Sequence, residues 1–224
     1  NSMKNVQNKQ SNNAHEIANV VTPGFKKSYS EQTQSLDVHI PGTFATRAMP
    51  VTNATNVVDM NPGALMVSGR ALDVYVNTSG AIAVQGPEGQ ELYTRRGDLT
   101  ISADGQLMTG TGSLVLGDGG PITVPGGSNI SITNDGSVNM IPRGANAEVT
   151  VGRIKLVDTK DTEMLIREDG LYQVREGALP ASADITLTTK ALEGSNVTVV
   201  DSMVRMITLS RQYEMSVNMI KNAR

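Results

Sequence analysis

Residues Asp98–Gly110 read DLTISADGQLMTG, and this stretch decides the fold of the central part of the chain. Leu99 and Ile101 alternate with polar residues, the pair Asp104-Gly105 interrupts the alternation, and Leu107 resumes it. An Asp-Gly pair between two alternating apolar runs is the strongest short-range signal of a β-hairpin. The stretch therefore predicts two short antiparallel strands joined by a tight turn.

The same arrangement recurs in the segment NISITNDGSVNM, Asn129–Met140, around a second Asp-Gly pair. Further alternating or strand-like runs lie at Leu72–Val84, Val149–Leu156, Leu171–Val174 and Ile185–Leu187. Short hairpins at a spacing of about ten residues are typical of antiparallel sandwiches and barrels. We therefore predict an α+β fold, in which a β-rich antiparallel body, a sandwich-like or barrel-like meander of hairpins, is flanked by N- and C-terminal helices.

Helical periodicity is confined to the two ends of the chain. A mostly apolar set of side chains recurs at intervals of three and four in residues 1–21, and a seven-residue repeat runs through residues 197–222. The two faces consist of Met3, Val6, Gln10, Ala14, Ile17 and Val21, and of Val199, Met203, Met206, Ser210, Tyr213, Val217 and Ile220. Two such faces could pair as a coiled coil. Periodicity alone leaves open the alternative that the last helix packs on its own β-body.

Residues 26–62 have no period, and the turn residues Pro23, Gly24 and Phe25 precede them. About 35 residues without clear elements are unusual inside a compact domain, which indicates a function for this segment. The predicted organisation has three parts. Residues 1–21 together with 192–224 form a terminal-helix assembly domain, 22–63 form an extended arm or linker, and 64–191 form an outer β-domain.

Residue types that carry chemistry are scarce in the 224 residues. The chain has no cysteine, only the two histidines His15 and His39, and a net charge of −3. The sequence contains no nucleophile elbow, P-loop or zinc-helix pattern. The glycine-rich run GTGSLVLGDGG leads into Pro121 and is typical of turns rather than of a phosphate loop. We therefore predict no catalytic residue, no metal site, no cofactor, no nucleic-acid partner and no small-molecule substrate.

Two terminal segments carry a family resemblance. IANVVTPGFK, Ile17–Lys26, resembles the N-terminal signature of flagellar rod and hook proteins, Asn-Asn-Leu-Ala-Asn-Val-x-Thr-x-Gly-Phe-Lys, with His15 and Glu16 at the usual Asn pair. LEGSNVTVVDSMVRMITLSRQYEMSVNMIK, Leu192–Lys221, resembles the C-terminal helix of the same family. The central segment YTRRGDLTISADGQLMTGTGSLVLG is similar too, so the resemblance spans nearly the whole chain.

The resemblance implies a structural subunit of the bacterial flagellar rod, the drive shaft that transmits torque across the periplasm in the basal body. It implies that the terminal helices pair and polymerise into a tube with the β-domain outside, and that the turn at Pro23, Gly24 and Phe25 leads the chain outward. The predicted assembly interface consists of Met3, Val6, Ile17, Val21, Val199, Met203, Met206, Tyr213, Val217 and Ile220.

The implied partners are other copies of the chain, other proteins of the proximal and distal rod, and the flagellar type III export machinery. Export by that route agrees with a sequence that has neither a recognisable Sec signal nor cysteine. Within the family, Met215 after Tyr-Glu and the compact GDGGPITVP resemble the proximal rod protein more than its close alternative, the distal rod protein. A secreted β-rich binding module or enzyme is a less favoured alternative.

Overall fold

The computed structural model describes residues 2–30, 35–36, 49–50 and 56–222. Two helices, α1 Ser2–Ala18 and α2 Val199–Asn222, stand at the ends of the chain. The strands in the first half are β1 Ser28–Ser30, β2 Ser35–Leu36, β3 Met49–Pro50, β4 Asn56–Val58, β5 Leu65–Val67, β6 Val74–Val76, β7 Gly80–Gln85, β8 Glu91–Thr94, β9 Leu99–Ile101 and β10 Leu107–Thr109. Those in the second half are β11 Leu116–Gly117, β12 Gly120–Pro121, β13 Gly127–Ile132, β14 Ser137–Pro142, β15 Val149–Arg153, β16 Leu156–Asp158, β17 Leu165–Ile166, β18 Tyr172–Gln173, β19 Leu187–Thr189 and β20 Ala191–Glu193.

This element order confirms the predicted α+β class, because strands predominate between two terminal helices. The first helix ends at Ala18, three residues before the predicted end, and a series of turns covers residues 19–24. At the second helix, the Thr198 hydroxyl hydrogen-bonds the Asp201 carboxylate, a side-chain contact at the first turn.

The largest sheet has seven antiparallel strands in the order β1-β4-β17-β18-β8-β7-β16. Two strands of the predicted arm, β1 and β4, form one end of this sheet, where Tyr29 pairs with Val57. Residues 31–34, 37–48 and 51–55 of the predicted arm lie outside the described residues. The division of the chain into three parts stays a prediction.

In the part of the chain that the structure describes, five connections between antiparallel segments use the same three-residue loop. At the loop first predicted, the N–H of Ser102 donates to the carbonyl of Gln106 at 2.9 Å, and the N–H of Gly105 donates back to Ser102 at 3.0 Å. Gly105 has a φ of +80°, a conformation that glycine adopts without steric cost. Loops with this bonding pattern begin at Gly86, Ser102, Thr109, Thr133 and Arg167. The two predicted Asp-Gly hairpins, β9–β10 and β13–β14, are confirmed.

Buried apolar side chains lie on both faces of the central strand β7. Ile82 and Val84 face one core cluster, which includes Leu99 and Leu107, whereas the alternate residues of β7 join a second cluster. The second cluster consists of Val58, Ala81, Ala83, Tyr93, Val157, Met164 and Tyr172. The strand period of two therefore divides one short run of sequence between two apolar layers.

Candidate assembly interface

The two terminal helices contact each other along a seam that is mostly polar. The Asn13 side-chain amide donates to the carbonyl of Ser202 at 2.7 Å, and Arg205 pairs with Glu16 at 3.2 Å. The positions buried in these helices include Val6 and Asn13 in α1, and Ser202 and Leu209 in α2. Each of these two pairs is separated by seven residues, so the seam follows the heptad spacing while burying few apolar atoms.

The polar groups of the seam are only partly compensated. Burial raises the pKa of the Glu16 carboxyl, and the nearby Arg205 guanidinium offsets this shift in part. Arg205 itself is well exposed to solvent, which weakens the attraction. The side-chain amide oxygen of Asn13, Oδ1, is buried and has no hydrogen-bond partner among the described residues. The contact between the helices is therefore a weak source of stability.

The apolar face of α2 points away from this seam. Val200 is 72% exposed, Ile207 56% and Met203 54%. Val199, Met206 and Tyr213, which belong to the predicted seven-residue repeat, are also exposed, to a smaller extent. Packing of this face on the β-body, the alternative left open by periodicity, is therefore not what the structure contains. A helix surface of this composition in water indicates a site for another chain.

The remaining residues of the predicted interface differ in their surroundings. Val6 is buried, Ile17 and Val217 are half-buried, and Val21 is 83% exposed beyond the end of α1. The side chains of Met3 and Ile220 lie outside the described part of the structure, although both residues belong to helices. Their role in assembly stays a prediction.

The predicted turn is packed into the β-body. Gly24 has a φ of +69°, and its N–H donates to the carbonyl of Glu193 at 2.8 Å. A Cβ atom at Gly24 would lie 2.5 Å from the carbonyl oxygen of Arg95, so the position has no room for a side chain. The Tyr172 hydroxyl donates to the Gly24 carbonyl at 3.1 Å, and the ring of Phe25 contacts that of His15 edge-on.

A fully buried ion cluster lies beside this turn. The Glu193 carboxylate pairs with Lys26 through one oxygen and with the Arg95 guanidinium through the other, each at 2.6 Å. The N–H of Gly63 also donates to the first oxygen, at 2.6 Å. Burial lowers the pKa of Lys26, and Glu193 opposes that shift. We name Lys26, Arg95 and Glu193 the junction cluster.

Sequence reasoning did not identify the junction cluster. Lys26 and Glu193 are charged residues within the two terminal signatures, and this was the available signal. Their pairing joins residues 167 positions apart in the chain, which no local pattern reports.

Within the described residues, no group of three or more histidine, aspartate or glutamate side chains is placed to hold a metal ion. No helix in that part of the chain has the length and hydropathy needed to cross a membrane.

Comparison with known proteins agrees with this architecture. Residues 188–224 match the family model described as flagellar basal body rod FlgEFG protein C-terminal, and residues 75–140 match the flagellar hook protein FlgE/F/G D1 domain. The flagellar basal-body rod protein FlgF of Salmonella typhimurium is 38% identical over 223 residues, covering 95% of this chain and 87% of the relative. The FlgF of Escherichia coli is 35% identical over 224 residues, covering 96% and 88%.

A relative of a second kind is the flagellar basal-body rod protein FlgG of Buchnera aphidicola from Acyrthosiphon pisum, 30% identical over 231 residues, with 91% of this chain and 85% of the relative covered. The chain therefore belongs to the family of flagellar basal-body rod proteins, which makes it a structural subunit of the rod in the flagellar basal body and not an enzyme. Within that family the higher identities favour a FlgF-like over a FlgG-like subunit. The resemblance inferred from the two terminal signatures is confirmed.

Proposed function

We propose that this subunit enters the rod through its terminal helices, and that the apolar face of α2 is the surface by which it binds neighbouring subunits. The observation that carries the proposal is that the helical pair buries polar side chains and exposes apolar ones. The seam inside the chain buries Asn13, Glu16 and Ser202, whereas Met203 and Ile207 are exposed. A helix that turns its apolar side to solvent gains free energy when another chain covers that side.

The expected gain is large enough to drive polymerisation. Complete burial of one valine, methionine or isoleucine side chain contributes roughly 1.5–3 kcal/mol. The exposed apolar residues of α2 are Val199, Val200, Met203, Val204, Met206, Ile207, Tyr213 and Met215. Partial burial of several of them would offset the entropy lost on association. The heptad spacing of the seam supports a coiled coil of α1 and α2 as the unit that polymerises.

The partners proposed for this surface are further copies of the chain and the other proteins of the proximal and distal rod. A mixed set of neighbours suits the width of the apolar face, which extends well beyond a single seam. We also propose that the flagellar type III export machinery delivers the subunit. A chain without cysteine can pass through an oxidising compartment unfolded without forming disulfides.

The test is Met206→Asp in motile cells. Met206 is exposed in the free subunit, so aspartate there should leave the melting temperature of the purified protein within about 2 °C of the wild type. Between helices of neighbouring subunits, an unpaired carboxylate costs several kcal/mol or must protonate. We therefore expect a subunit that is exported and folds but does not assemble, with loss of swimming, scored in soft agar and by counting basal bodies in electron micrographs.

The matched control is Met206→Leu, which keeps the apolar contact and should swim normally. Normal swimming of Met206→Asp would overturn the proposed surface. Early melting of the purified Met206→Asp subunit would place this residue in the core of the chain and would overturn it as well.

A further inference from the structure

We infer that the junction cluster is the mechanical coupling between the helical pair and the β-body, and that Lys26 is the positioning residue on its N-terminal side. The cluster joins chain segments that are far apart in sequence at one buried point. A subunit that transmits torque needs a fixed angle between the part held in the axis and the part outside it. The inference concerns the free subunit and does not depend on which surface of α2 meets a neighbour.

The Glu193 carboxylate is the centre of the coupling. It accepts hydrogen bonds from Lys26, just after the turn that follows α1, from the backbone of Gly63, and from Arg95 at the end of β8. Glu193 itself ends β20, and α2 begins six residues later. The Glu193 side chain is therefore bonded both to the segment that follows α1 and to the β-body, and Glu193 itself lies just before α2.

Arg95 anchors this point in the β-body. Beyond its bond to Glu193, its guanidinium donates to the backbone carbonyls of Val76, Thr78 and Gly80 at 2.6–2.8 Å. Those carbonyls belong to β6, to β7 and to the loop between them, where the largest apolar cluster begins. A force applied to Glu193 therefore reaches a rigid part of the core directly.

A contribution to the stability of the fold does not by itself explain why these three charged side chains are buried together. The two cations Lys26 and Arg95 share one carboxylate, and all three side chains are buried from water. Removing an ion from water costs several kcal/mol per group, and the attraction between the paired ions offsets this cost. Replacing a buried ion pair by apolar residues of similar volume often leaves the stability of a protein unchanged or increases it. Charge-assisted bonds supply directionality instead, because each fixes distance and angle where apolar contacts permit sliding.

Neutral hydrogen bonds also cross the same junction, and they set the size of the expected effect. They include the bonds that join Gly24 to Glu193, Tyr172 to Gly24, Lys27 to Asn196, and Asn196 to Phe25. Bonds to ionised groups are roughly twice as strong as neutral ones. Loss of Lys26 should therefore loosen the junction without detaching the helices.

The experiment measures the distance between the helices and the β-body in the free subunit. Because the chain has no cysteine, two nitroxide labels can be attached at Arg211→Cys on α2 and Thr123→Cys on the β-body, both exposed positions. Pulsed electron double resonance then reports the distribution of the distance between the labels. In Lys26→Met the distribution should broaden at least twofold, while the thermal melting of the β-body, where Arg95 keeps its bond to Glu193, stays near that of the parent.

The matched control is Lys27→Met, which removes the same charge one residue away from a half-buried lysine that lies over the ring of Tyr29. Its distance distribution should equal that of the labelled parent. Equal widths for Lys26→Met and Lys27→Met would overturn the inference.

A second variant keeps the test decisive if Lys26→Met folds poorly. The triple change Lys26→Met, Arg95→Met and Glu193→Leu removes all three charges together and leaves no unpaired ion in the core. It should give a folded subunit with a broad distribution, and a narrow one would overturn the inference. Swimming of Met206→Asp cells tests the proposed surface separately, so either idea can fail alone.

Discussion

The β-body of this rod subunit buries an extended apolar core, whereas the helical pair buries few apolar residues and several polar ones. Ile82, Leu99 and Leu107 in the β-body have no exposed surface, and each faces other apolar side chains. The helical pair buries Asn13 and Ser202 and leaves most of its methionines and valines exposed. The difference teaches that the β-body encloses its apolar core within a single chain, whereas the helices leave apolar surface exposed, which we propose that neighbouring subunits cover.

A free-energy difference between the two regions follows from this contrast. The hydrophobic effect stabilises the β-body within one chain, because its apolar area is already removed from water. Nucleation of a helix is unfavourable in free energy, and the contact between the two helices is mostly polar. The helices should therefore open locally long before the β-body unfolds. Three further predictions can break or sharpen this comparison.

The largest effect is expected from a pair of truncations, Leu107→Ala in the β-body and Met203→Ala in α2. Leu107 is 0% exposed, so its truncation should lower the free energy of unfolding by about 2–5 kcal/mol. Met203 is 54% exposed and should change it by less than about 0.5 kcal/mol. Urea denaturation of both purified variants measures the two values. Similar losses would show that α2 is part of the same core.

An intermediate effect is expected at the boundary between the two regions, from Gly24→Ala. A side chain there would meet the backbone of Arg95 at 2.5 Å, and the residue has a positive φ. Gly177→Ala is the matched control, because its φ of +71° is similar and no atom lies within 4 Å of the added Cβ. The control isolates the backbone strain, about 1–2 kcal/mol. Overpacking should add about 1–3 kcal/mol at Gly24.

The family resemblance implies that the turn at Pro23 and Gly24 leads the chain outward from the helices. The structure also joins Gly24 to Glu193 and to the body of the protein, so the purified subunit should already be destabilised by Gly24→Ala. Thermal melting of the two alanine variants provides the measurement, and equal melting temperatures would show that the contact of Gly24 with the backbone of Arg95 does not stabilise the free subunit.

The smallest effect concerns Glu16 in the helical seam. Its pKa in the folded chain is raised by burial above the ordinary value of 4.5. A group with a raised pKa contributes stability that is fully present below the unfolded pKa and is lost as pH rises through the folded pKa. The docking of α1 should therefore be slightly firmer near pH 4 than at pH 7.

Glu16→Gln should remove this pH dependence and give, at pH 7, a docking close to that of the parent at pH 4. Amide exchange in α1, corrected for the intrinsic pH dependence of exchange, reports the change. Glu214→Gln, on an exposed position of α2, is the matched control and should leave exchange in α1 unchanged. Faster exchange in Glu16→Gln at pH 7 would show that the pair with Arg205 outweighs the cost of burial.

Local patterns predicted both helices and about half of the strands that the structure describes. Asp104-Gly105 and Asp135-Gly136 lie in the turns where the sequence put them, because the residues that form such a loop are adjacent in the chain. The end of α1 was predicted three residues late, since Val21 continues the spacing of the helix although the backbone has already turned. Spacing alone does not report where hydrogen bonds of a helix stop.

The direction of the apolar face of α2 needed the tertiary structure. A repeat of Val199, Met206 and Tyr213 shows that one side of a helix is apolar, and it is compatible with a partner from the same chain or from another. Only the position of α1 against Ser202 and Leu209 decides that this side remains exposed.

The sequence by itself determined the α+β class, the hairpins of the body and, through its two terminal signatures, the rod family, because these depend on neighbouring residues or on short motifs. The tertiary structure alone decided that Lys26 and Arg95 meet on Glu193, across 167 and 98 positions of the chain. The physical reason is that the charge of a buried residue can be read from the sequence, whereas its partner is chosen by the packing of the whole fold.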